Sequence, residues 1–185
     1  VIVKSLVKII CLFVCVSVTV NAEQTWELRK DKDNIQVHTR KVEGSPYDAV
    51  MASTVVANIR LSSLVALLQD LDACPDWADR CVEAYVFKQI TPTEAYVYSH
   101  NDLPFPVKDR DALTHVTWRQ DPETFEVTML SSATTGKLPK VKGRLRLTEA
   151  KTSWRFTPLP DQKVKVINEA HINPGSSLPG WVSNM

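Results

Sequence analysis

The stretch Leu103-Pro104-Phe105-Pro106-Val107-Lys108-Asp109-Arg110-Asp111 constrains this chain more than any other. Pro104 and Pro106 fix φ, remove two amide donors and restrain the residues before them, so neither a helix nor a regular strand runs through. Apolar, strand-like segments flank it: Tyr96-Val97-Tyr98 before, and Leu113-Thr114-His115-Val116-Thr117-Trp118 after. These are two separate strands, then, joined by a stiff crossing that ends in the charged triplet Asp109-Arg110-Asp111.

Charge narrows the partners. Residues 1–22 hold Lys4 and Lys8 and no acids, leaving 20 basic and 21 acidic residues in the rest of the chain. A body so near neutrality lacks the concentrated basic face that a nucleic-acid footprint requires. With 5 Gly against 11 Pro, phosphate-cradling loops are disfavoured, and Gly136-Lys137 is followed by Leu rather than Ser or Thr.

The N-terminus reads as an export signal. Lys4 and Lys8 precede the uncharged run Ile9 to Val20, and Val20-Asn21-Ala22 supplies a cleavage site, predicted after Ala22. The run falls short of the roughly 18 apolar residues that a membrane-spanning helix needs. The expected product, residues 23–185, is periplasmic or secreted, without the leader's Cys11 and Cys15. It keeps Cys74 and Cys81 in a compartment that tolerates disulfides. Bridging requires Cα atoms within about 7 Å, which spacing does not fix, so a bridge and two free thiols both stay open.

Along residues 23–185 the pattern is mostly β. Trp26 to Arg29, Ile35 to Arg40 and Tyr47 to Ala57 read as three strands in meander order. Leu61, Leu64, Val65, Leu67, Leu68 and Leu71 recur at helical spacing, with Pro75 just past the expected end. Strands are then predicted at Val82–Ile90, Ala95–Asn101, Ala112–Trp118, Phe125–Ser132, Gly143–Leu147, Ser153–Thr157 and Val164–Ile172. One helix among long antiparallel runs makes an α+β domain.

Catalytic signatures are missing. Pro174-Gly175-Ser176-Ser177-Leu178-Pro179 lacks the spacing of a nucleophile elbow, and the four histidines have no zinc-ligand spacing. No cofactor or metal is expected. His100 and His115 flank the proline crossing, but lone histidines in sheets are more often structural. The triplet Asp109-Arg110-Asp111 and the pair Arg144/Arg146 read as structural ion pairs.

Several motifs, in order, are similar to START (StAR-related lipid-transfer) domains, particularly bacterial ones. They are Trp26 with Asp33-Asn34-Ile35-Gln36-Val37-His38-Thr39-Arg40; Leu64 to Leu71 with Trp77; Tyr96-Val97-Tyr98 with the proline crossing; Gly143 with Trp154-Arg155-Phe156-Thr157-Pro158; and Asn173-Pro174-Gly175-Ser176-Ser177-Leu178-Pro179-Gly180-Trp181. The resemblance implies a helix-grip fold, in which a curved antiparallel sheet wraps a C-terminal helix around an apolar cavity for one lipid. Its structural signature falls on Pro104, Pro106, Asp109, Arg110, Asp111, Pro174 and Gly175. The sequence stops at Met185, where the closing helix is expected to begin. Sterol-binding members carry a basic residue on the strand after the Arg-Asp motif; the matching position here is Val116, which favours other lipids.

Strand alternation then nominates Val97, Thr114, Val116, Trp118, Val127, Met129, Leu145, Trp154 and Phe156 as cavity positions, with plain core packing as the alternative for each. The expected function is lipid transfer or sensing by a monomer, without catalysis and with transient membrane contact. The rival is a helix-grip enzyme of polyketide cyclase type, which needs His100, His115 or Arg110 inside the cavity.

Overall fold

A computed structural model describes residues 25–175. The proposed leader, residues 1–22, and the stretch 176–185, where a closing helix is expected to start, lie outside them. The elements in chain order are β1 Glu27–Lys32, β2 Ile35–Arg40, β3 Ala49–Ala57, α1 Leu61–Gln69, α2 Cys74–Trp77, β4 Cys81–Thr91, β5 Glu94–Asn101, β6 Arg110–Gln120, β7 Val127–Ala133, β8 Leu145–Arg146, β9 Ala150–Leu159 and β10 Lys163–Ile172.

All ten strands join one sheet of order β1-β2-β3-β10-β9-β7-β6-β5-β4, with the short β8 pairing parallel to the start of β6. The other pairings are antiparallel. The last strand thus closes the gap between the first meander and the rest. Two-residue turns at Asp33-Asn34 and Asp161-Gln162 hold both central residues at positive φ (53° and 62°; 60° and 51°). That conformation matches the right-handed twist of the strands on either side.

The helical region differs from the reading above. Periodicity predicts one helix reaching Leu71; instead α1 stops at Gln69 and Pro75 lies in the first turn of a second short helix. Proline is tolerated there because the first amides of a helix have no intrahelical acceptor. The charged triplet also sits differently: Arg110 and Asp111 already belong to β6.

One stripe of α1 packs on the concave face of the sheet. Leu61, Leu64, Val65 and Leu68 meet a buried cluster of Val127, Phe156, Val164 and Val166. Phe156 is fully buried, which contributes on the order of 2–3 kcal/mol. This packing plugs one end of the concave surface, and the last turn of α1, with Leu68, borders the open middle.

Candidate functional site: a cavity between sheet and helices

The middle of the concave face holds a cavity of about 500 Å³. That volume lies within the range of about 300–1,000 Å³ usual for sites that bury a small ligand. Its floor is a run of adjacent strands in register. Ala95, Val116 and Ser131 sit opposite one another across β5, β6 and β7, and Thr152 of β9 continues the row. A second row joins Trp118, Met129 and Trp154. Leu68, Leu71, Cys74 and Trp77 supply the helical wall, and Ala84, Val86 and Gln89 line it from β4.

Alternation locates six of the nine nominated positions on this lining: Val97, Thr114, Val116, Trp118, Met129 and Trp154. The other three are corrected. Val127 and Phe156 share the same sheet face, paired with each other one step beyond Met129 and Trp154, but there α1 covers them and they form core. Leu145 lies on β8, beside Arg110. A Cβ on Gly175, whose φ is +76°, would sit 2.5 Å from Leu145 Cδ2. Leu145 therefore buttresses the Pro174-Gly175 corner, and a side chain at Gly175 would collide with it.

Trp118, Met129 and Trp154 line the end near α1 together with Gln69, Asp70, Thr93 and Glu94, and Ser99, Thr114, Ser131 and Thr152 line the rest. Thr114 donates to the Val97 carbonyl at 3.4 Å. The apolar floor is thus bordered by polar residues at both ends.

The charged residues cluster on the opposite, convex face. Asp111 is completely buried and takes two hydrogen bonds from Arg146, Nε to Oδ1 at 2.9 Å and Nη2 to Oδ2 at 2.8 Å. Tyr98 donates its phenol to Asp111 at 3.2 Å and accepts from Arg144 at 2.6 Å; Arg144 also reaches Glu83 at 3.0 Å. Burial pushes the Asp111 carboxyl up, but Arg146 and Tyr98 outweigh it and hold the group below its ordinary value. Burial likewise raises the Tyr98 phenol.

His100 faces the same convex side, 2.9 Å from Asp109. That hydrogen bond, with the Leu103 amide, keeps the Asp109 carboxyl below its ordinary range. His115 also lies there, 2.6 Å from Glu94 and against the Tyr96 ring. Neither histidine faces the cavity. Arg110 ties the proline crossing to the corner, donating to the Lys108 carbonyl and, at 3.1 Å, to the Pro174 carbonyl. Pro104 and Pro106 border the turn that this anchors, with Phe105–Pro106 in cis.

The model of the START domain matches residues 11–185. The chain belongs to the START family. Its sheet and helices superpose on a STAR-related lipid transfer protein from Xanthomonas axonopodis with a TM-score of 0.76 and 31% identity, covering 86% of this chain and 88% of that one. An uncharacterised protein of Pseudomonas aeruginosa is 29% identical over 87% of this chain and 78% of its own length. Human STARD10 shares the fold, with a TM-score of 0.75 at 20% identity, and this START domain spans 65% of it.

Within this START domain, Cys74 and Cys81 are bridged, with Cα atoms 6.0 Å apart, which resolves the alternative left open by spacing. The bridge joins α2 to the first residue of β4 and so fixes Trp77 at the cavity wall. Closing so short a loop stabilises by roughly 2–3 kcal/mol. Replacing both cysteines by serine is expected to lower stability by that amount in urea titration. An unchanged midpoint would show that the loop is held by other contacts. Sequence reasoning did not nominate Ala84, Val86 or Gln89, because the irregular pairing of β4 interrupts simple alternation.

Proposed function

We propose that this START domain takes up one lipid, holding its chain between the sheet and the helices and its polar head among the polar residues that border the apolar floor. The observation that carries the reading is the cavity: about 500 Å³, floored by Val97, Val116, Trp118, Met129 and Trp154. Each methylene moved out of water is worth about 0.8 kcal/mol, so a chain of ten contributes about 8 kcal/mol before ordering costs. Micromolar binding corresponds to about 8 kcal/mol net, so longer chains are needed once ordering costs are met.

The same geometry favours carriage or sensing over catalysis. A cyclase needs an acid or base aimed at the substrate, and the two histidines that would serve are on the convex face, hydrogen-bonded to Asp109 and Glu94. Arg110 is engaged by the carbonyls of Lys108 and Pro174. Export through residues 1–22 would place the domain in the periplasm or outside the cell, where lipid must cross water between membranes, and the Cys74–Cys81 bridge suits that setting.

Native mass spectrometry of protein purified from its own host tests this. A single co-purifying lipid per chain is the expected result. Turnover of a polyketide-like substrate by protein that retains no lipid would overturn it.

A further inference from the structure

Among the described residues, every charged side chain on the cavity lining is an acid: Asp70 and Glu94 line it, and no lysine, arginine or histidine does. Strand alternation is the cause. The floor takes Thr114, Val116 and Trp118 from β6 and Thr152 and Trp154 from β9. The interleaved His115, Arg119, Lys151 and Arg155 therefore fall on the convex side. Arg110 has the parity of the floor but lies off the lining, on the Lys108 and Pro174 carbonyls.

The two acids differ. Glu94 turns to the convex face and meets His115 at 2.6 Å. Asp70 is the C-cap of α1, beside carbonyls that have no intrahelical donor. Those carbonyls form the negative end of the helix dipole, where a cation is favoured and a carboxylate is not. The last turn of α1 holds no basic residue, and Asp70 has no cation within ion-pair distance among the described residues. Its hydrogen bond from the Ala73 amide is long, 3.4 Å. A carboxylate set against the local preference, on the wall of a binding cavity, is the kind of departure that serves a ligand rather than the fold.

We propose that the lipid taken by this cavity has an uncharged, hydroxyl-bearing head, and that Asp70 is the specificity-determining residue that turns acidic heads away. The inference rests on the lipid-carrier reading and deepens it by naming the head. A carboxylate or phosphate drawn into the cavity loses its water, meets no cation on the lining and lies near the negative end of α1. A buried charge left without a partner is strongly disfavoured. A hydroxyl needs hydrogen bonds alone. It can donate to the Asp70 carboxylate and accept from the Gln69 amide, and Ser99, Thr114, Ser131 and Thr152 offer further hydroxyl partners on the same lining. Those neutral partners suit an alcohol better than an ammonium group, which would give up its hydration for a single carboxylate.

Displacement of the uncharged dye Nile red by glycerol monopalmitate, palmitate and hexadecylamine, which share one chain length and differ in head charge, tests the proposal near neutral pH. Wild-type protein is expected to bind the glycerol monoester at least about tenfold more tightly than palmitate. Asp70→Asn keeps an oxygen for the Ala73 amide and removes the charge. It should narrow the ratio of the two affinities by a factor of about three or more. Palmitate that binds within about twofold of the monoester, or hexadecylamine that binds more tightly than the monoester, overturns the uncharged head and leaves the carrier reading standing. A D70N protein with the wild-type ratio overturns the role of Asp70. Folded protein that binds none of the three removes the carrier reading, and this inference with it.

Discussion

Changing Arg146 to methionine is expected to cost about 3–5 kcal/mol of folding stability, because it leaves a buried carboxylate without its cation. Asp111 has no exposed surface, and Arg146 is its bidentate partner. The remaining donor, the Tyr98 phenol at 3.2 Å, is neutral and supports only one oxygen. The loss is a third or more of the stability of an ordinary domain. With a urea slope of about 2 kcal/mol/M it moves the midpoint by roughly 2 M. A double variant, Asp111→Leu with Arg146→Met, removes both charges and is expected to recover most of the loss. If R146M unfolds at the wild-type midpoint, the pair is not what holds β8 and the 134–149 segment to the sheet.

The same pair gives a pH signature. The Asp111 carboxyl lies below its unfolded value, so its contribution is complete above the ordinary carboxylate range, near pH 4. It fades as acid passes through the lower folded value. Asp109 acts in the same sense through His100 and the Leu103 amide. Stability is therefore level toward neutrality and falls on acidification below about pH 4.

Legibility in the sequence followed the range of each signal. Strand identity and facing come from a period of two, and the register of β5, β6, β7 and β9 puts the nominated residues of all four on the concave face. Alternation says nothing of where along a strand a helix lands. Val127 and Phe156 were nominated for the cavity because they share a face with Met129 and Trp154, and α1 turned them into core. The α1 stripe was itself legible, but its docking position is a tertiary fact. Leu145 failed for a different reason: β8 pairs parallel with β6 across a long connection, and no local pattern announces that. The proline crossing is legible as a break between two strands, β5 and β6. Structural pairing of the charged triplet is legible, but the start of β6 at Arg110 rather than Ala112 depends on Arg146 and β8, which are distant in sequence.

Placing an arginine at Val116 is expected to lower lipid uptake by more than about a hundredfold, since an ionised group in an apolar site costs several kcal/mol unless paired. Val116 is 9% exposed at the centre of the floor, with Ala95 and Ser131 opposite it on either side. In the ligand-free protein a guanidinium there stays wet, because the cavity has room for water, so folding suffers less than binding. A bound chain strips that water away, and neighbouring Ala95, Ser131 and Thr114 offer no carboxylate in return. Fluorescent-lipid titration beside a urea curve separates the two effects. Val127→Arg is the companion variant: Val127 lies on the same face but under α1, and its arginine should damage folding first. Uptake by V116R within a few fold of wild type, in protein that remains folded, would place the lipid somewhere other than this floor.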